Sequence, residues 1–142
     1  MDIEGGEVNA KVGSDKTHTF TTAGVIGCAL SKFSIKGVKV KVDIVRIAAN
    51  DISPYDHALA VTSNTAKCSA DLTGSEISGC SFAGSLSLSS TRTYDTRDNV
   101  KDNDPSNVEL TVVNKDNLND YLIVAKSYTK EGITLNNNVF SE

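Results

Sequence analysis

Tryptophan is absent from this chain of 142 residues, and all aromatic residues together make up only 6% of it. Sugar sites that stack on aromatic platforms, and base-stacking sites for single-stranded nucleic acid, both depend on such rings. The four tyrosines, Tyr55, Tyr94, Tyr121 and Tyr128, are scattered and build no platform. An excess of positive charge is missing too. Fourteen basic residues against 18 acidic ones leave a net charge of −4, and the isoelectric point is near 5.1. Affinity for a phosphate backbone comes mainly from surplus Lys and Arg, so no nucleic-acid partner is expected.

Long hydrophobic runs are lacking as well. The longest apolar stretch, about Ala23 to Leu30, falls far short of the roughly 20 residues of a membrane span, so no membrane insertion is expected. The start, Met1-Asp2-Ile3-Glu4-Gly5-Gly6, is acidic and has no apolar h-region, and no signal peptide is read there. Cysteine is sparse and odd in number: Cys28, Cys68 and Cys80 cannot all pair within one chain. There is no Cys-x-x-Cys pair, and the two histidines are not at ligand spacing, which excludes a zinc-finger site. Glycine-rich phosphate loops, a serine elbow and kinase motifs are all absent. No catalytic residue is assigned, no cofactor is implied, and the expectation is a protein that is not an enzyme.

What is present is alternation. Apolar residues recur with a period of two, the mark of a half-buried strand. Cys80, Phe82, Leu86 and Leu88 fall on one face of 80–90, with serines and Ala83 on the other. Val38, Val40, Val42 and Ile44 share one face of 35–47, while Lys39, Lys41 and Asp43 share the opposite one, and Gly37 marks a bend or bulge. Shorter runs of the same kind cover Glu7–Val12, Thr17–Thr22, Ala58–Thr62, Lys67–Leu72, Val108–Val113 and Ile133–Leu135. Turn-formers such as Gly13-Ser14-Asp15, Thr73-Gly74-Ser75 and 98–105 separate them. In 116–127 two patterns compete. Leu118, Tyr121, Leu122 and Ala125 fit a helical stripe, yet Tyr121-Leu122-Ile123-Val124 has strand composition.

The expected fold is therefore all-β: an antiparallel β-sandwich or jelly roll of about eight strands, with strand and one short helix as alternatives near 117–127. A length of 142 residues suits one domain. Residues 1–13 read as a polar N-terminal arm carrying a short strand. No internal repeat is read.

Four groups of side chains are candidate sites. Cys68 and Cys80 lie symmetrically about Gly74, so a hairpin turning there would bring them within disulfide reach; the alternative is two small buried thiols. Asp95, Asp98, Asp102 and Asp104 form an oxygen-rich stretch of the kind that binds a hard cation, and Ca²⁺ is the metal it would take. The EF-hand pattern is not met there, and Arg92, Arg97 and Lys101 stand ready to neutralise the acids, so a solvated hairpin or crossover is the competing expectation. Lys39 and Lys41 centre a basic stripe running from Lys32 to Arg46; such a stripe meets an acidic partner or guards a sheet edge. His57, next to Ser53-Pro54-Tyr55-Asp56, belongs to a turn rather than a triad, whose members converge from separate elements.

The functional expectation follows from a Ser/Thr/Asn-rich chain of short strands. It is a structural or interaction module, a self-assembling subunit of viral, phage, fibre or pilus type, located on a virion or extracellular surface and associating with itself. The alternative is a secreted β-sandwich binding domain: an adhesin, an effector, or a Ca²⁺-dependent glycan binder meeting a surface protein or glycan ligand.

Overall fold

The computed structural model describes residues 1–14, 22–48, 57–63, 71–90, 92–96, 99–102, 108–111, 113–125 and 131–141. Its strands are β1 (Asp2–Glu4), β2 (Glu7–Ser14), β3 (Thr22–Ala23), β4 (Ser34–Lys36), β5 (Lys39–Ala48), β6 (His57–Ala58), β7 (Val61–Ser63), β8 (Glu76–Ser78) and β9 (Ser81–Ser90). They continue with β10 (Arg92–Thr96), β11 (Asn99–Asp102), β12 (Val108–Thr111), β13 (Ile123–Ala125), β14 (Thr134–Asn136) and β15 (Val139–Phe140); one helix, α1 (Leu118–Leu122), precedes β13.

The antiparallel sandwich is not what forms. Two sheets dominate, each built on four parallel strands. A short sheet runs in the order β1-β4-β8-β14, all parallel. A long sheet runs β2-β5-β9 in parallel, and β15 continues it in parallel beside the first residues of β9. The chain visits the short sheet and then the long sheet four times in the same direction, so it winds as a four-turn parallel β-solenoid. Smaller parallel pairings, β3 with β6 and β7 with β13, line a third side. Antiparallel pairing among the described residues is confined to the β10–β11 hairpin and to β12, which adds to the far part of β9.

A repeat underlies this winding, contrary to the sequence expectation. Each turn carries the same corner: Ile3-Glu4-Gly5, Ile35-Lys36-Gly37, Ile77-Ser78-Gly79 and Leu135-Asn136-Asn137. The last residue of each corner has positive φ (68°, 62°, 62° and 53°), a conformation open to glycine and tolerated by asparagine. One residue follows (Gly6, Val38, Cys80 or Asn138), and the chain then enters the long sheet. Identical hydrogen bonds tie successive corners. The N–H groups of Gly5, Gly37 and Gly79 donate to the carbonyls of Lys36, Ser78 and Asn136, at 2.8, 3.0 and 3.0 Å. Those of Lys39, Ser81 and Val139 donate back to Gly6, Val38 and Cys80, each at 3.0 Å.

The registers stack like residues into columns inside the coil. Ile3, Ile35, Ile77 and Leu135 form one; Val8, Val40, Phe82 and Phe140 form another; Val12, Ile44 and Leu86 form a third. Ile35, Ile77 and Phe82 are wholly buried, and Val40, Ile44 and Leu86 are nearly so. At the corner, Cys80 occupies the inward position, its thiol accepting from the Val38 N–H at 3.4 Å. Asn138 holds the equivalent place one turn on. Its amide accepts from Cys80 N–H at 3.1 Å and donates to the Ile77 carbonyl at 2.8 Å.

The inward and outward assignments for 38–44 hold, as do Cys80, Phe82 and Leu86 on the buried face. At 117–127 both competing patterns find a place, as α1 followed at once by β13. Residues 1–13, read as an arm, lie along β1 and β2, paired to β4 and β5 of their own chain.

Candidate interaction surfaces

Strand alternation decides where the candidate lysines go. Lys39 and Lys41 both project from the outer face of β5 and are exposed. Register sets Lys39 between Glu7 and Ser81, and Lys41 between Asn9 and Ala83. Together with Ser141 they line a shallow groove of about 270 Å³ on the outside of the long sheet. Two ammonium groups, one carboxylate and serine hydroxyls stand there beside Val8, Val40 and Ala83. The longer basic stripe does not persist. Lys36 lies around the corner on the short sheet, where its Nζ meets Glu76 Oε2 at 3.0 Å. That hydrogen bond and the attraction of the opposite charge raise the Lys36 pKa above its ordinary 10.5. The Glu76 carboxyl is held below its ordinary value by the hydrogen bond from Lys36, aided by the Ser78 hydroxyl. Farther along β5, Asp43 accepts from the Ser85 hydroxyl at 2.9 Å, so the outer row alternates in sign rather than staying basic.

The acidic candidates divide. Asp95 and Asp102 belong to β10 and β11, where Asp95 falls at the register shift and Asp102 pairs with Arg92. Asp98 and Asp104 lie outside the described residues. No group of three potential metal-ligating side chains occurs among the described residues.

Beyond Gly74, both edges of β8 are taken by parallel strands, β4 and β14. Cys80 is a free, buried thiol and Cys28 a free, exposed one; Cys68 lies outside the described residues. His57 begins β6.

A surface that the alternation pattern did not reveal is the open end of the coil. The columns buried in turns two and three surface in turn one: Ile3, Val8 and Ala10 are only partly covered, and Val12 is 37% exposed against 1% for Ile44 directly beneath it. Among the described residues no strand lies beyond β1 or β2. The alternating bonds of a parallel ladder leave every second N–H and C=O of these strands pointing away from the coil. The signal that locates this end in the sequence is the Ile-x-Gly corner, which identifies Ile3 and Val8 as core positions of a first turn.

No helix among the described residues is long and apolar enough to cross a membrane. No protein-family model, curated protein or solved structure matches this chain.

Proposed function

We propose that the chain is a non-enzymatic structural module that associates through the open end of its solenoid. The supporting observation is the first turn, in which Ile3, Val8, Ala10 and Val12 sit in core columns with no covering strand among the described residues. Solenoids normally require a polar cap at such an end. Covering the exposed part of each large side chain is worth about 1 kcal/mol, and new backbone hydrogen bonds add direction. A subunit on a virion or extracellular surface fits this chemistry.

Light scattering after size exclusion, over a hundredfold range of concentration with and without Ca²⁺, tests the proposal. Assemblies that grow with concentration and ignore Ca²⁺ support it; a 15.1 kDa monomer throughout removes it. Deleting 1–13 is a poor substitute test, because it would strip the layer from Ile35, Val40 and Val42 and report folding instead.

One observation favours a second reading, a binding domain. The groove over Lys39, Lys41 and Ser81 would receive an acidic glycan or an acidic surface protein. A monomer that binds an anionic oligosaccharide, and loses it on Lys39→Ala/Lys41→Ala, would establish this reading.

A further inference from the structure

We infer that the partner at the open end is a second copy of this chain, joined head to tail, with turn four of one copy laid on turn one of the next in the register used inside the chain. This rests on the self-assembly reading above and names its interface.

Backbone complementarity is the first ground. Inside the chain, each corner N–H donates to the strand carbonyl one turn on, and each long-sheet entry N–H donates to the carbonyl one turn back. Among the described residues the outermost turns leave one step of each series over. The Asn137 N–H has the place of Gly5, Gly37 and Gly79, and the Glu4 carbonyl has the place of Lys36, Ser78 and Asn136. Likewise the Glu7 N–H stands where Lys39, Ser81 and Val139 stand, and the Asn138 carbonyl where Gly6, Val38 and Cys80 stand. Asn137 to Glu4 of the next copy, and Glu7 of the next copy to Asn138, therefore continue both ladders without a shift. The corner conformations already agree, with φ of 53° at Asn137 and 68° at Gly5.

The side chains agree as well. Leu135 and Phe140 end at half-burial the columns that Ile3 and Val8 begin at half-burial. Stacking Leu135 on Ile3 and Phe140 on Val8 of the next copy completes both. Charge then selects the orientation. The outward residues of turn one include Asp2, Glu4 and Glu7, whereas those of turn four are Thr134, Asn136, Val139 and Ser141. Joining two first turns would set acid against acid; joining turn four to turn one does not. A head-to-tail contact is heterologous, so it propagates into filaments or closes into rings.

Two variants block one end each. Val139 is 57% exposed and falls in the outward column of Glu7, Lys39 and Ser81. Val139→Glu places a carboxylate beside Glu7 of the next copy. Glu4→Pro removes an N–H that points away from β4 and obstructs any strand laid on β1. Each variant alone is expected to run as a monomer at concentrations where the parent chain assembles. Mixed one to one, they should give a discrete heterodimer, because each retains the end that the other lacks. Glu7→Lys added to Val139→Glu should restore assembly, and this charge pair decides the matter even if Glu4→Pro does not fold. Assembly of the parent that neither variant weakens tenfold, or a mixture that stays monomeric while both variants remain folded, would overturn the head-to-tail interface and leave self-association standing. A parent chain that is monomeric throughout overturns both.

Discussion

Gly84 lies beside Val42 in the neighbouring strand, so close that a Cβ built on it would overlap the Val42 carbonyl oxygen. Its φ of 120° is also outside the range of other residues. Crowding from the side and backbone strain thus coincide at one position, in the column that runs from Ala10 through Val42 to Gly84.

Gly84→Ala should therefore be among the most damaging single-methyl changes in the chain, costing about 3 kcal/mol or more. Chemical denaturation measures it. A loss under 1 kcal/mol would show that β5 and β9 can part without penalty.

Gly37 makes a contrasting case. A Cβ there meets nothing within 4 Å, so only the left-handed backbone resists substitution. Gly37→Ala is expected to cost about 1–2 kcal/mol. Asn137→Gly, at the equivalent corner of turn four, should be neutral or slightly stabilising. Opposite signs for the two in thermal unfolding would establish the corner as a repeat; equal losses would count against it.

The described thiols should separate by access. Cys28 is exposed, whereas Cys80 is 1% exposed and hydrogen-bonded at the corner. Brief alkylation of the native protein followed by peptide mapping should label Cys28 and spare Cys80 until denaturant is added. Equal labelling would show that the corner opens freely.

The Lys36–Glu76 pair gives stability a pH dependence at both extremes. With Glu76 lowered from its ordinary 4.5, its contribution is complete above that value and fades as pH falls through the lowered pKa. With Lys36 raised from 10.5, its contribution is complete below that value and fades as pH climbs through the raised pKa. The side chains are 49% and 33% exposed, so the effect is small and salt-sensitive. Asp71, held low by Thr73, also loses its contribution in acid, so the informative quantity is the difference in unfolding midpoint between the parent and Glu76→Gln. That difference should be constant across neutral pH and shrink below pH 4.5. One that persists unchanged in strong acid would remove the ion pair as its cause.

Which residues face inward along β5 and β9 was legible in the sequence, because a strand places alternate residues on opposite sides whatever its neighbours do. Val38, Val40, Val42, Ile44, Cys80, Phe82 and Leu86 were identified on that ground alone. Lys39 and Lys41 lie outside by the same rule, but the row does not continue to Lys36. Gly37 turns the chain through a corner, so Lys36 and Lys39 belong to different sheets.

Strand direction was not legible. The alternation of a half-buried strand is the same beside a parallel or an antiparallel neighbour, and the choice rests on the connections. Here those connections lengthen from turn to turn, so the Ile-x-Gly corner recurs at uneven spacing and escapes a search for a fixed period. Residues 118–125 add a local case, since a stripe for helix and a composition for strand were both true of adjacent segments. The sequence alone determined the strand faces, the bend at Gly37 and the absence of an aromatic or strongly basic platform, all set by local stereochemistry and composition. Only the tertiary structure decided that the strands lie parallel and stack in register, because that depends on contacts between residues one full turn apart. The same stacking determines that Ile3 and Val8, ordinary core residues by pattern, lie in the outermost of the described turns.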